Sequence, residues 1–177
     1  AIRVGIHPRT LYEMRNKGLV EQMSRGLYRL AEQPALDEPD LVTVTKRVPH
    51  GVISLLSALS LHGLTSEIPH QIFVALPRGF RPPRIEYPPI QVCWFSGASF
   101  SEGIESRNVD GMRVRVYGPA KSVADCFKFR GTIGQEAAIE ALKRYLRTKH
   151  RDVDELLRFA RICRVEKIVR RYLEALL

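Results

Sequence analysis

The sequence is poor in cysteine and contains no long hydrophobic run. Its three cysteines are odd in number, lie far apart and lack metal-ligand spacing, which predicts buried reduced thiols and argues against a structural zinc site. These residues are Cys93, Cys126 and Cys163. No apolar run approaches the ~20 residues that a membrane-spanning helix needs, and the first residues lack a signal-peptide pattern. We therefore expect a soluble, cytoplasmic protein with no membrane partner.

Motifs for metal, cofactor and phosphate chemistry are also missing. The five histidines lack the HExxH or HxH spacing of a metal site, and no glycine-rich loop is suited to cradle a phosphate. The sequence thus predicts no metal site, no cofactor and no catalytic residue, and hence no enzyme. The histidines are His7, His50, His62, His70 and His150.

A nuclease is the main enzymatic alternative. It would need clustered carboxylates to hold Mg²⁺, and the middle of the chain has four carboxylates without the Asp then Glu-x-Lys order that would support such a site. These residues are Glu86, Glu102, Glu105 and Asp110. An active or degenerate nuclease in residues 40–120 therefore remains the weaker hypothesis.

Two other polar patterns have structural interpretations beside the functional ones. Lys121 and Asp125 stand four residues apart at a helix start, a spacing that favours an ion pair over a catalytic pair. A serine recurs every third residue along the apolar stretch 52–62, which is typical either of close packing or of a serine-lined site with His62 as a base. The three serines are Ser54, Ser57 and Ser60.

Acidic residues are fewer than basic ones. The chain has 28 Lys and Arg against 19 Asp and Glu, a formal net charge of +9, and the excess lies at its two ends. Such a balance indicates a polyanionic partner, either nucleic acid or an acidic protein.

Residues 1–33 predict a DNA-binding helix. The run 1–11 has the pattern of a helix-turn-helix, and Pro8 suits the first turn of its second helix because its missing N–H costs nothing there. Leu11 and Met14 are expected to face inward, and Gly18 to end the helix. The outer face then carries the candidate DNA contacts Arg9, Thr10, Tyr12, Arg15, Asn16 and Lys17.

A basic wing is expected to follow this helix. Residues 19–23 and 27–30 alternate as two short strands do, and Ser24, Arg25 and Gly26 form the turn between them. Arg25 is the candidate contact to the DNA backbone or minor groove. The sum is a winged helix-turn-helix, although a small packing module without DNA contacts would show similar patterns. Such domains place a further helix ahead of the first residue, and we expect that helix to be missing here.

Residues 40–177 predict a mixed α/β domain behind a linker at 31–39, which ends by capping a helix through Asp37 and Pro39. The fold class expected for the chain is thus α+β: an N-terminal winged helix-turn-helix, then a mixed α/β domain that ends in a basic helical segment. Four or five strands are expected, and Asp110 and Gly111 mark a hairpin. The predicted helices are 40–48, 52–62, 122–129, 135–149, 153–163 and 165–176, the predicted strands are 72–76 and 90–95 with a hairpin over 108–117, and 98–106 is expected to add strand pairing.

Two further basic sets are candidate contacts to phosphates or acidic partners. Prolines in 77–89 favour a polyproline II segment, whose three residues per turn would align Arg78, Arg81 and Arg84 along one edge. The helical end supplies a second set, Arg144, Arg147 and Arg151. A stiff solvated connection and an ordinary solvated helix surface are the respective alternatives.

Several phrases of the chain together resemble the AbiEi-type antitoxins, a family of predicted regulators of viral defence. The resemblance keeps the order of the motifs and extends over essentially the whole chain. The phrases are GIHPRTL (5–11), RGLYRL (25–30), GVISLLSALSLHGLT (51–65), VALPR (74–78) and YGPAKSVADCF (117–127).

This resemblance implies a repressor of its own operon that binds a double-stranded operator with inverted repeats through the winged helix. It also implies an antitoxin of a type IV toxin-antitoxin system, which counteracts a nucleotidyltransferase toxin through the C-terminal region. Two alternatives remain open: a plain transcriptional regulator without a toxin, and a protein-interaction module whose basic C-terminal helices bind an acidic partner.

Overall fold

A computed structural model describes residues 7–82 and 84–176, which form an α+β structure with nine helices and seven strands. The N-terminal elements are α1 (Pro8–Asn16), β1 (Val20–Ser24), β2 (Leu27–Leu30) and α2 (Pro39–Arg47). The middle elements are β3 (Val52–Ile53), α3 (Leu55–Leu61), β4 (Ile72–Pro77), β5 (Ile90–Phe95), α4 (Ala98–Ser101), β6 (Ile104–Val109) and β7 (Met112–Tyr117). The C-terminal helices are α5 (Pro119–Lys128), α6 (Arg130–Ile133), α7 (Gln135–Arg147), α8 (Val153–Ile162) and α9 (Glu166–Leu176).

The strands form two sheets. Strands β1 and β2 make a separate antiparallel hairpin, and the other five strands make a mixed sheet in the order β5-β4-β3-β7-β6. In this sheet β4 pairs with β5, and β3 with β7, in parallel, whereas β3 with β4 and β6 with β7 are antiparallel. Five strands in the middle of the chain agree with the sequence prediction.

The five-stranded sheet is covered on both faces. Side chains alternate along each strand, so each strand contributes residues to both cores. On one face, Tyr117 and Phe95 join a large core built with α3, α5, α7, α8 and α9. On the other face, Val114 and Val116 pack with Leu41 and Val44 of α2. Helix α2 is therefore the cover of the second face, and its far end lies toward the N-terminal hairpin.

The predicted helix over 52–62 is wrong at its start. Val52 and Ile53 form strand β3, and Ser54 continues the pairing because its N–H donates to the carbonyl of Phe73, 3.0 Å between N and O. Leu55 then takes a left-handed conformation, with φ 47°, and α3 begins there. A continuous apolar run has no period that separates a buried strand from a buried helix, which explains the error.

Other boundaries differ by a few residues. The segment 98–106 starts with the short helix α4 rather than a strand, and β6 begins at Ile104, ahead of the predicted hairpin start at 108. Helix α5 begins at Pro119 instead of Ser122, since proline suits the first turn of a helix. Helix α7 ends at Arg147 instead of Lys149, and the short helix α6 was not predicted.

The start of α2 is capped by a distant residue. The Glu38 cap position has no side-chain hydrogen bond of its own, so the predicted cap through Asp37 is wrong. Instead, Asp110 in the β6–β7 turn accepts hydrogen bonds from the N–H groups of Asp37 and Glu38, with N–O distances of 3.0 and 2.8 Å. The first proline of this helix, Pro39, lies in the first turn as expected.

The helix and the two strands predicted within 8–30 are present. The winged-helix assignment for residues 1–33, and the division into domains at 1–33 and 40–177, remain predictions. Residues 1–6, which carry most of the predicted helix-turn-helix pattern, lie outside the described residues.

Candidate nucleic-acid interface

Helix α1 is defined at both ends by local hydrogen bonds. His7 takes an extended conformation, and its Nδ1 accepts from the N–H of Arg9 at 3.2 Å, while Pro8 occupies the first turn as predicted. At the other end Gly18 adopts φ 71°, its N–H donates to the carbonyl of Arg15, and the next N–H donates to Met14. This is a Schellman motif, which requires a left-handed residue where glycine is least strained. Gly18 therefore ends α1, as the sequence predicts.

The two sides of α1 differ in burial. Leu11 and Met14, three residues apart, are half-buried on the inward side. The predicted contact residues are all exposed: Arg9, Thr10, Tyr12, Arg15 and Asn16, together with Lys17 at the helix end. The aromatic ring of Tyr12 is half-exposed, and the guanidinium of Arg15 lies 5.4 Å from its centroid. The outer side of α1 thus presents cationic, amide and aromatic groups together, a mixture suited to phosphates and base edges.

The ion pair on the exposed side of α1 is weak. Arg9 forms an ion pair with Glu13 at 3.3 Å, but both side chains are more than half exposed, and such pairs contribute little. Arg9 is therefore free to exchange Glu13 for a phosphate.

The hairpin β1–β2 carries one exposed arginine and one anchored arginine. Arg25 lies in the turn before Gly26, which has φ 74°, and its side chain is 85% exposed. Arg29 instead pairs with Glu21 on the neighbouring strand at 2.8 Å and donates to the carbonyl of Pro34. Arg29 therefore stabilises the hairpin, whereas Arg25 is available to a partner.

A chain of hydrogen bonds links α1, the hairpin and α2. Arg15 donates to the side-chain oxygen of Gln22 at 3.3 Å, and the Gln22 amide donates to the carbonyl of Ser24 at 3.5 Å. From the other side, Arg47 of α2 donates to the hydroxyl of Ser24 at 3.3 Å. The exposed side of α1 and the hairpin turn are thus positioned by the body of the protein.

The first additional basic set, Arg78, Arg81 and Arg84, is divided between a turn and the loop that follows it. Pro77 belongs to β4, and Arg78 and Gly79 form a turn in which the Arg78 N–H donates to the carbonyl of Phe95. The predicted continuous polyproline edge is therefore wrong at its beginning, because strand pairing continues through Pro77. Arg81 and Arg84 are exposed, but only Arg84 lines the large cleft beside the hairpin turn.

The second additional basic set lies at the helical end. Arg144 pairs with Glu140 on the same helix at 2.7 Å, and that carboxylate also accepts from Ser66. Hydrogen bonds from Ser66 and Arg144 lower the pKa of Glu140. Arg147 and Arg151 are exposed.

Three of the four carboxylates considered for a nuclease have separate partners. Asp110 caps α2, Glu86 pairs with Arg25 at 3.6 Å, and Glu102 pairs with Arg158 at 2.6 Å. Within residues 7–82 and 84–176, no group of three His, Cys, Asp or Glu side chains is arranged to hold a metal ion.

The serines of the 52–62 stretch do not converge on His62. The hydroxyl of Ser57 accepts from the N–H of Phe73 at 3.0 Å, whereas Ser60 is exposed. His62 is half-buried and its Nε2 donates to the carbonyl of Tyr117 at 2.8 Å. Burial lowers the pKa of His62, so the neutral ring is favoured in this contact. The interpretation of this stretch as close packing fits these contacts.

Lys121 and Asp125 form the predicted ion pair, and both side chains are completely buried. The ammonium lies 2.5 and 2.6 Å from the two carboxylate oxygens and 4.0 Å from the centroid of the Tyr117 ring. The thiol of Cys163 donates to the same carboxylate at 3.1 Å. All three groups are enclosed, and the cluster joins α5 to Cys163, the residue that follows α8.

Arg47 has no signal in the sequence that associates it with the hairpin turn. It lies on α2, outside the predicted DNA-binding segment, and approaches the hairpin turn only through folding. A basic residue in the last turn of a helix is ordinarily explained by the helix dipole, so no local pattern distinguished it.

Residues 1–31 match the model of a protein family described as transcriptional regulator, AbiEi antitoxin. The matched range contains α1, β1 and β2 completely. No curated protein matches the chain. The resemblance to AbiEi-type antitoxins that the motifs indicated is therefore confirmed over residues 1–31. Within the described part of the chain, no helix has the length and the apolar character needed to cross a bilayer.

Proposed function

We propose that the protein is a DNA-binding transcriptional repressor, and that the exposed side of α1 enters the major groove of its operator. The observation that carries this proposal is the exposed set on α1, within the segment that matches the regulator family. Arginine pairs with guanine through two hydrogen bonds and asparagine with adenine, so Arg15 and Asn16 are the proposed base contacts. Arg9 and Lys17 contact phosphates in this proposal.

The hairpin supports this arrangement as a wing. With Arg25 at its turn, the hairpin would contact the backbone or the minor groove beside the site of α1, as in a winged helix-turn-helix. Residues 1–33 then act as the DNA-binding domain, and residues 40–177 as the domain that positions it. Residues that contact only phosphates add affinity without sequence preference.

Selection of bound duplexes from a random library tests this function directly. We expect the full-length protein to enrich one sequence. Arg15→Ala should remove about 1 to 3 kcal/mol of discrimination at one base pair, whereas Arg9→Ala should weaken all duplexes alike. Glu13→Gln is the matched control on the same helix, and it should strengthen binding slightly because a negative charge is removed. Recovery of no enriched sequence would contradict the proposal.

We propose further that this repressor is the antitoxin of a type IV toxin-antitoxin system, which regulates its own operon and counteracts a nucleotidyltransferase toxin. The description of the family matched by residues 1–31 supports this step. In this proposal the basic helical end, including Arg144, Arg147 and Arg151, takes part in neutralisation.

Co-expression with the adjacent reading frame tests the antitoxin role. Growth should stop when that product is made alone and recover when this protein is made with it. Combined alanine substitution of Arg147 and Arg151, both exposed, should impair recovery while repression persists. If the neighbouring product does not inhibit growth, the antitoxin proposal is contradicted and the proposal of a plain transcriptional regulator remains.

A further inference from the structure

A cleft of about 740 Å³ lies between the hairpin turn, α2 and the proline-rich loop. Three segments that are distant in sequence each contribute an arginine to its lining: Arg25 from the turn, Arg47 from α2 and Arg84 from the loop. Glu86 is the one acidic residue among the described residues of the lining. The cleft is therefore positively charged overall.

These guanidiniums retain donors for a partner. Arg25 and Glu86 are 3.6 Å apart, and their side chains are 85% and 80% exposed, so their pairing contributes little. Arg47 donates through one nitrogen to Ser24, although a guanidinium has five N–H donors. Arg84 is exposed at the rim.

We propose that this cleft holds the phosphodiester backbone of the same DNA duplex that α1 contacts, with Arg25, Arg47 and Arg84 as phosphate ligands. The inference rests on the proposed DNA-binding function. Arg25 is shared between the proposed wing and the cleft, so the cleft adjoins the surface that the wing would present to a duplex. Arginine matches phosphate oxygens through two parallel hydrogen bonds. The resulting contact surface extends from α1 into the body of the protein.

Glu86 has a defined role in this arrangement. Its carboxylate faces Arg25 in the free protein and would repel an approaching phosphate. DNA binding therefore breaks the Arg25–Glu86 pair, and Glu86 lowers affinity for every duplex alike. Removing its charge should strengthen binding, which is opposite in sign to the loss of each arginine.

The test measures affinity against salt concentration for the full chain, on the selected operator and on a scrambled duplex. Each lost phosphate contact should reduce the slope of log K against log salt by about one. Arg84→Ala and Arg47→Ala should each weaken both duplexes equally, by about threefold at moderate salt. Glu86→Gln should strengthen both. Equal binding and slope for wild type, Arg84→Ala and Glu86→Gln would overturn the proposal.

Two controls separate the cleft from general effects of charge and stability. Arg78→Ala removes an exposed arginine that does not line the cleft, and it should leave the slope unchanged. Ser24→Ala removes the hydrogen bond from Arg47 but keeps its charge, so it should keep the slope as well. A slope change with Arg78→Ala equal to that with Arg84→Ala would contradict a localised backbone site.

The outcomes distinguish this inference from the proposed function. If Arg15→Ala reduces the preference for the operator while Arg84→Ala and Arg47→Ala change nothing, the inference fails and the function stands. If the wild type binds operator and scrambled duplex equally, sequence-specific repression fails. Polyglutamate of matched charge should compete weakly, and competition stronger than that of DNA would make the cleft a surface for acidic proteins and overturn the inference.

Discussion

The carboxylate of Asp110, in the β6–β7 turn, accepts a hydrogen bond from the backbone N–H of Glu38 at 2.8 Å, at the start of α2. The other end of this helix reaches the N-terminal hairpin through Arg47 and Ser24. Helix α2 thus connects the five-stranded sheet to the hairpin that carries the proposed wing. The hairpin with the proposed DNA contact Arg25 is therefore coupled to the sheet through contacts at the two ends of this helix.

Asp110→Asn should destabilise the protein by about 1 kcal/mol, because an amide provides one accepting oxygen for two N–H groups. Asparagine tolerates the left-handed conformation at this position, φ 51°, so backbone strain is not added. Urea unfolding measures the change in stability. Asp37→Asn is the control, because it removes one negative charge near the same helix end while Asp110 keeps its carboxylate. A loss that is the same for both variants would contradict the capping role.

The buried pair of Lys121 and Asp125 predicts an asymmetric response to substitution. Lys121→Met leaves a buried carboxylate without its countercharge and should cost about 3 to 5 kcal/mol. Changing both residues, to Met and Leu, should cost less than Lys121→Met alone, since no unpaired charge remains. Urea unfolding of the two variants compares them, and a single variant as stable as wild type would disprove the role of the pair.

His62 predicts a loss of stability in mild acid. Burial lowers its pKa in the folded state from an ordinary value of 6.5, so the unfolded chain binds the proton more readily. The unfolding free energy should therefore fall as the pH drops through 6.5 and stop falling below the folded-state pKa. Burial is the main cause of this lowered pKa; the guanidinium of Arg107, 3.5 Å from Nδ1, adds a smaller lowering, whereas the hydrogen bond to Tyr117 and the carboxylate of Glu105 act in the opposite direction.

The variant His62→Gln should weaken this pH dependence, because glutamine can donate to Tyr117 without titrating. The exposed His70→Gln is its matched control and should keep the wild-type dependence. Thermal unfolding between pH 5 and about 8 measures the difference. An identical pH profile for wild type and His62→Gln would contradict the assignment.

The three cysteines should be unreactive in the folded protein. All are buried, and burial together with the nearby Asp125 carboxylate raises the pKa of Cys93 and of Cys163 to about 12. Burial also raises the pKa of Cys126. A thiol reagent at neutral pH should label none of them quickly and all of them after addition of urea. Rapid labelling of the native protein would contradict this prediction, because it would show that the core around the cysteines opens to solvent.

Much of the fold was predictable where local signals are strong. Leu11, Met14 and Gly18 specify α1 through helical spacing and a glycine stop, and the apolar spacing of α7, α8 and α9 is equally regular. The spacing of Lys121 and Asp125 predicted their ion pair, although an i,i+4 pattern does not reveal burial. Strand β3 was missed because two apolar residues have no period of their own.

The candidate interface was predictable only in its continuous part. The exposed residues of α1 and Arg25 lie within one short segment, so helical spacing and a turn were sufficient to predict their exposure. The cleft combines Arg25, Arg47 and Arg84, and nothing in their local sequence indicates that they meet. Their common position results from sheet order and from the way α2 covers the sheet, which single-sequence patterns do not determine.

The most direct test of the central claim is the affinity of the protein for its own selected operator relative to a scrambled duplex, measured for wild type and for Arg15→Ala under the same salt conditions. We predict that wild type prefers the operator by at least about a thousandfold, and that Arg15→Ala loses about ten- to a hundredfold of that preference. Equal preference in the two proteins, or none in wild type, would contradict the account.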